Sequence, residues 1–241
     1  MLYVDNPVGT GFSFTDYDDG YAQNQTDVAE DLYSLLQQFY RLFPEVENVP
    51  FYTSGESYAG KYVPAISYKI HTMNQKISSS ENKSSLIRIP LAGMAIGDGF
   101  TDPLTMSPEY APLLYNTGLL DEKQRDFING LFAQSIKLAR LMKYQQAFKY
   151  FDMALNGDIY PYPSYFTNCT GTTNYFNYLR TDSPKETGYY VQFLNKPSIR
   201  SLIHVGNRTF HDGSVVERHM LNDFLVGVSR WVEKLLTAGY K

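Results

Sequence analysis

The stretch TSGESYAGKYVP, Thr53 to Pro64, decides how the rest of the chain is read. Before it stand Phe51 and Tyr52, aromatic β-formers entered through Pro50; after it Tyr62, Ile66 and Ile70 recur at helical spacing. A strand therefore runs into a helix through Gly55-Glu56-Ser57-Tyr58-Ala59-Gly60. This is the setting of a nucleophile elbow, in which a serine occupies a sharp strained turn and the residues two before and two after it must be small. Gly55 and Ala59 meet that condition, with Ala59 where the common pattern has glycine, and Gly60 completes the stretch. The helix would direct its N-terminal dipole and N–H groups at Ser57, and the backbone N–H of Tyr58 is a natural oxyanion donor. The competing reading of the same pattern is an ordinary strand-to-helix turn with an incidental serine.

The flanking sequence extends the pattern. Leu2-Tyr3-Val4 reads as a short apolar strand entering the turn-rich loop Asn6-Pro7-Val8-Gly9-Thr10-Gly11. Val28, Leu32, Leu35, Leu36, Phe39 and Leu42 mark an amphipathic helix, capped by Asn24 or Thr26 and ended by Pro44. A third strand, Leu91 to Ile96, ends at Gly97-Asp98-Gly99. Three strands alternating with helices predict an α/β fold with a parallel sheet and right-handed crossovers. The second half changes character. Asp121 to Asn156 predicts helix, broken at Gly130 or near Lys143-Tyr144; residues 157–190 read as loop; helix resumes near Lys196, and Asn222 to Leu236 is amphipathic. The expected organisation is a partial α/β core over 1–104, a mostly helical cap over 105–220, and a helix returning to the core over 221–241.

Composition excludes several function classes. The chain is 43% hydrophobic and 19% charged, with a net charge of −4 and a pI near 5.6. No basic field exists to attract nucleic acid or anionic lipid. No apolar run reaches the roughly 18 residues of a membrane span. The N-terminus has no basic start and carries Asp5 inside its apolar stretch, so it does not read as a signal peptide. Cys169 is the single cysteine, which rules out a disulfide within the chain and leaves any partner outside it. Four N-x-S/T sequons, at Asn24, Asn82, Asn168 and Asn207, favour a secreted or lumenal protein. No H-E-x-x-H or G-x-x-x-x-G-K pattern occurs, so neither a metal nor a cofactor is expected.

Three motifs in order carry a resemblance: LYVDNPVGTGFSFT, then ESYAGKYVPAI followed by AIGDG and Asp102-Pro103, and finally IHVGNRTF. Together they resemble the serine carboxypeptidases, α/β-hydrolase enzymes that remove C-terminal residues from peptides, and most of all the vitellogenic carboxypeptidase-like group. The resemblance covers essentially the whole chain. It implies that Ser57 is the nucleophile, that Glu56 binds the substrate's terminal carboxylate, and that Tyr58 supplies an oxyanion N–H and a wall of the pocket for the penultimate side chain. A carboxyl group facing a carboxylate must share a proton with it, so activity is expected to be best in acid, as in a lysosomal setting. The implied partners are peptides or proteins with a free C-terminus; oligomeric state is open.

A serine hydroxyl needs a base, and the base an orienting acid. In this fold they follow in the order Ser, Asp, His, on loops after late strands. Neither a matching strand end nor a histidine loop is present, so the triad Asp and His are expected to be absent from the chain. His71 lies too close in sequence, His204 reads as a packed core histidine, and His211 and His219 belong to the cap. Asp98 and Asp102 follow too early a strand. The chain thus reads as the middle of a larger enzyme, inactive by itself. The alternatives are a non-catalytic product that binds peptides or partners, and a same-fold acyltransferase or esterase.

Overall fold

The computed structural model describes residues 1–79, 85–157, 159–160, 163–174 and 176–241. In chain order the elements are β1 (Thr10–Gly11), α1 (Gln25–Leu42), β2 (Phe51–Glu56), α2 (Ala59–Ser79), β3 (Leu91–Gly97), α3 (Pro103–Asn116), α4 (Glu122–Arg140), α5 (Tyr144–Ala154), α6 (Tyr165–Thr170), α7 (Tyr189–Leu194), α8 (Pro197–Leu202), β4 (His211–Asp212), α9 (Ser214–His219) and α10 (Ser229–Thr237). They fall into two compact units, one of residues 22–103 with 226–241, the other of residues 1–21 with 104–225.

The first unit is built on the parallel pair β2–β3, in register from Tyr52↔Gly93 to Glu56↔Gly97. Helix α1 begins where Asn24 caps it, its side-chain oxygen accepting from the amides of Thr26 and Asp27. Its apolar stripe, Tyr33, Leu36 and Tyr40, packs with Ile66 and Ile70 of α2 and with Ile89 at the approach to β3. Among the described residues no strand pairs with Ile87 to Ile89, ahead of the point where Phe51 N of β2 donates to the Pro90 carbonyl. Two buried amides stand in for one: Gln37 donates to the Ile87 carbonyl at 2.7 Å and accepts its N–H at 2.8 Å, and Asn74 does the same for Ile89 at 2.7 and 3.1 Å. Each arrangement satisfies backbone groups that burial would otherwise leave without partners. The buried pair Thr53 Oγ1 and Ser67 Oγ, 2.7 Å apart, ties β2 to α2. Helix α10 lies on α2 through the stacked rings of Tyr68 and Trp231 and a hydrogen bond from Lys234 to the Tyr68 hydroxyl. The Lys241 carbonyl accepts from Met94 N on β3.

The second unit is mostly helical. Asp121 and Gln124 form a capping box that starts α4, and α4 and α5 pack on each other around Phe132, Phe148 and Phe151. Phe224 closes this cluster with its ring edge-on to Phe148, 4.8 Å between centroids. Residues 1–21 join the unit because β1 pairs antiparallel with β4, Thr10↔Asp212 and Gly11↔His211, while Phe12 meets Phe210 and the Arg208 guanidinium lies 3.2 Å from the Phe14 ring centroid.

Several expectations from the sequence are corrected. Leu2-Tyr3-Val4 is not a strand; Leu2 and Tyr3 are exposed and no strand among the described residues pairs with them, so β-propensity has no ladder to join. The parallel sheet of the described residues accordingly has two strands rather than three. Gly130 does not break α4, because it sits mid-helix facing open space; the break comes at Met142, at φ +58°. The amphipathic segment from Asn222 becomes helix only at Ser229, since residues 220–225 turn to bring Phe224 into the aromatic cluster. The described part of residues 157–190, read as loop, contains the short helix α6, started by the Ser164 side chain accepting from Thr167 N, a 3-10 turn at Lys185–Gly188 and the first residues of α7.

The two side-chain ladders generate a stability prediction. Asn74→Ala removes both partners of a buried residue's backbone and should lower unfolding free energy by about 2 kcal/mol. Asn24→Ala, which removes a half-buried helix cap, should cost about 1 kcal/mol. Urea unfolding monitored by circular dichroism checks the order of the two.

Candidate active site

Ser57 and Tyr58 form the turn between β2 and α2. Ser57 has φ +78°, a left-handed backbone that an L-residue with a side chain adopts at a cost of about 1–2 kcal/mol. It lies between the last residue of β2 and the first of α2, and its side chain faces solvent, as does that of Glu56, while Tyr58 is half-buried. A non-glycine residue persists in this conformation only where its surroundings determine it strongly. Here they do so from both sides of the serine. Ser57 N donates to the Gly97 carbonyl at 3.1 Å, and the Ser57 carbonyl accepts from Gly60 N at 2.9 Å and from Phe100 N at 2.8 Å.

The small residues read from the sequence are small for two different reasons. A Cβ on Gly55 would stand 2.4 Å from the Cβ of Ala59, so strand and helix approach too closely for two side chains. A Cβ on Gly60 would meet the backbone of Gly99 and Phe100 at 2.5–2.7 Å. The second contact is with the loop after β3, which contains the Gly97-Asp98-Gly99 stretch of the sequence motif. That loop is itself strained, with Asp98 at φ +40°.

Aromatic rings surround Tyr58. Tyr62 lies 5.1 Å away at 64°, Phe100 is stacked at 6.1 Å, and the ammonium of the fully buried Lys61 is 5.4 Å from the Tyr58 ring centroid. Lys61 and Phe100 were not singled out from sequence. Their signal was available only in retrospect, as a cation inside an otherwise apolar helix face and an aromatic residue following a glycine pair.

The four histidines are placed as follows. His71 is on α2, about 18 Å along the axis from the helix start, and its Nδ1 is 3.2 Å from the Tyr240 hydroxyl. His204, expected in the core, is instead exposed at φ +62°, where it ends α8; Val205 N returns to the Arg200 carbonyl in the manner of a helix-terminating turn. Apolar neighbours misled because they belong to the helix end and not to a buried strand. His211 is exposed on β4 beside Asp212, whose carboxyl is held below the ordinary range by hydrogen bonds from the amide and hydroxyl of Ser214. His219 stacks on Tyr21 at 4.5 Å and lies 3.3 Å from Asp18. No group of three or more metal-ligating side chains occurs among the described residues. Of the sequons, Asn168 and Asn207 are exposed, Asn24 is the half-buried helix cap, and Asn82 lies outside the described residues.

Against known proteins, residues 1–241 match the family described as serine carboxypeptidase. The chain belongs to the serine carboxypeptidase family. It is 48% identical over 236 residues to the human probable serine carboxypeptidase CPVL, covering 98% of this chain and 48% of that protein. It is 44% identical to the venom serine carboxypeptidase of Apis mellifera, covering 93% and 47%, and 41% identical to the vitellogenic carboxypeptidase of Aedes aegypti, covering 98% and 49%. The chain thus spans about half the length of these relatives. Among solved structures it resembles Kex1(delta)p, a prohormone-processing carboxypeptidase from Saccharomyces cerevisiae, with a TM-score of 0.74 over 98% of this chain and 53% of that one. At 23% identity that likeness establishes the fold, an α/β-hydrolase arrangement.

The strained serine gives a sharp expectation. Ser57→Gly removes the left-handed penalty but adds about 0.5–1 kcal/mol of unfolded-state freedom, so it should stabilise the protein by about 0.5 kcal/mol. Ser57→Val, β-branched at the same φ, should destabilise it by about 1 kcal/mol or more. Thermal melts of the two variants test the sign of each effect.

Proposed function

We propose that the protein is a serine-type carboxypeptidase in which Ser57 attacks the C-terminal peptide bond and forms an acyl-enzyme. The observation that carries this reading is the exposed Ser57 at φ +78° on a strand-to-helix turn, a conformation that costs free energy and has a function when the hydroxyl must reach an acyl carbon. Attack makes a bond from Ser57 Oγ to the carbonyl carbon, while the hydroxyl proton passes to a general base. The carbonyl oxygen takes the negative charge, and the Tyr58 N–H at the head of α2 is the proposed donor to it. Collapse expels the terminal amino acid, protonated by the same base, and water then releases the shortened peptide.

Glu56 adjoins the nucleophile and, on this reading, meets the substrate's terminal carboxylate. Two like charges held together repel, so one proton must be shared between them, and recognition strengthens in acid. That preference, the exposed sequons at Asn168 and Asn207, and the relatives' names favour a secreted or lysosomal protein acting on peptides with a free C-terminus. Among the described residues no helix is long and apolar enough to cross a membrane.

The base and its orienting acid are proposed to be other than the four histidines here. His71 is on the wrong part of α2, and His219 is engaged with Asp18 and Tyr21. The 241-residue polypeptide expressed alone should therefore show no measurable peptide turnover.

A fluorophosphonate probe tests the assignment in the full-length protein. Labelling should map to Ser57 and vanish in Ser57→Ala; labelling that survives the substitution rejects the role of Ser57. Glu56→Gln should erase most of the preference for a free over an amidated C-terminus, and should flatten the dependence of KM on acid. An unchanged ratio of the two substrates would remove Glu56 from carboxylate recognition.

A further inference from the structure

The segment Gly97–Thr101, at the end of β3, meets the turn at Ser57 and the first turn of α2 at three points. Ser57 N donates to Gly97 O, Phe100 N donates to Ser57 O at 2.8 Å, and the Thr101 hydroxyl donates to the Gly60 carbonyl at 3.0 Å. We infer that this loop aims the proposed oxyanion donor, and that Thr101 is a positioning residue for the reaction. The inference rests on the reading of Ser57 and Tyr58 given above.

The peptide group between Ser57 and Tyr58 carries both the Ser57 carbonyl and the Tyr58 N–H. It is planar and trans, so its N–H points opposite to its C=O. Two donors hold that carbonyl. The one from Gly60 is local to the turn, whereas the one from Phe100 comes across from the loop after the neighbouring strand. Together they fix the plane, and with it the direction in which the Tyr58 N–H projects. The oxyanion donor of Tyr58 is therefore oriented by an amide that is more than forty residues away in sequence.

Phe100 N reaches Ser57 O only if the loop keeps its place against the first turn of α2. Three features hold it there. Gly99 and Gly60 touch backbone to backbone, so closely that a Cβ on either would collide with a neighbour. Asp98 adopts φ +40°, which turns the chain back toward the helix. The third is the Thr101 hydroxyl, and its partner is not arbitrary. In an α-helix the Gly60 carbonyl would accept from the N–H of residue 64, but residue 64 is proline and has none. Pro64 thus leaves open, in a buried part of the first turn, an acceptor that the Thr101 side chain occupies. Thr101 is in turn anchored through its own backbone, its N–H on the Gly99 carbonyl and its carbonyl on Val228 N.

A donor aimed by this brace acts on the charge that develops in the transition state and leaves ground-state binding alone. Thr101→Val, of nearly the same shape, should lower kcat for peptide hydrolysis by the full-length protein about tenfold, with KM unchanged. The affinity for a peptidyl aldehyde, which mimics the tetrahedral state, should fall in the same proportion, while that for a product peptide should not change. Thr101→Ser keeps the hydroxyl and should restore all three to within about twofold of the parent. The fluorophosphonate labelling rate at Ser57 follows the same order, and melting temperatures identify any loss due to unfolding.

The inference is overturned if the folded Thr101→Val variant keeps the parental kcat and labelling rate, or if KM rises in step with the fall in kcat. It is also overturned if Thr101→Ser is as slow as Thr101→Val. Should Thr101→Val fail to fold, Thr101→Ser against Thr101→Cys, read by labelling rate and aldehyde affinity, decides the same question. Failure of the underlying reading is distinguishable, since it appears in the parent protein as labelling that is absent or not at Ser57.

Discussion

A serine whose backbone stands at φ +78° is the constraint on which the described site depends. An isolated chain would relax it, since the left-handed region costs such a residue about 1–2 kcal/mol. What holds it is the adjacency of two strand ends. The register Glu56↔Gly97 brings the loop after β3 beside the loop after β2, and hydrogen bonds from one turn then complete the other. Neither turn is determined by its own residues alone. This is why strain can be local while its support is not.

The same dependence on distant partners runs through the unit that contains the serine. Helix α2 must sit correctly on the sheet for its first turn to meet Gly99, and its seat is defined by polar as well as apolar contacts. Ile70 packs with Tyr33 and Leu36, which gives affinity but tolerates sliding. The Thr53–Ser67 pair and the Asn74–Ile89 ladder do not tolerate it, because a shift would leave buried polar groups without partners. Directional bonds inside an apolar interface thus set the register between helix and sheet.

Much of this was legible in the sequence, and the rest was not for identifiable reasons. The strand, the turn and the helix from Phe51 to Ile70 could be read because each depends on residues adjacent in the chain. So could α1, whose apolar stripe and Asn24 cap are both local. Leu2-Tyr3-Val4 has the composition of a strand, yet strand formation needs a neighbour, which composition does not reveal. Asn222 begins an amphipathic pattern, but Phe224 is claimed by Phe148 and Phe151 before the helix can start. His204 looked buried among Leu202, Ile203 and Val205 because the pattern gives no hint of the left-handed turn that exposes it. The pairing of Thr101 with a carbonyl made available by Pro64 required three segments to be seen at once.

The comparisons and the geometry answer different questions. Relatives at 41–48% identity place the chain in its family, while the structure at 23% identity shows how far side chains can change with the fold retained. A fold by itself hosts many reactions, and only the residues of the site distinguish one of them from another. At this site the contacts are largely between backbone groups: the proposed donor is an amide, the carbonyl of its peptide accepts from the Phe100 amide, and Ser57 N is bonded to the Gly97 carbonyl. Side-chain identity then matters where it governs backbone approach or supplies a missing bond, as at Gly55, Gly60, Pro64, Gly99 and Thr101. A chemistry carried by main-chain groups leaves its trace in the sequence as small residues, a proline and a hydroxyl, and only secondarily as the charged residues by which active sites are usually sought.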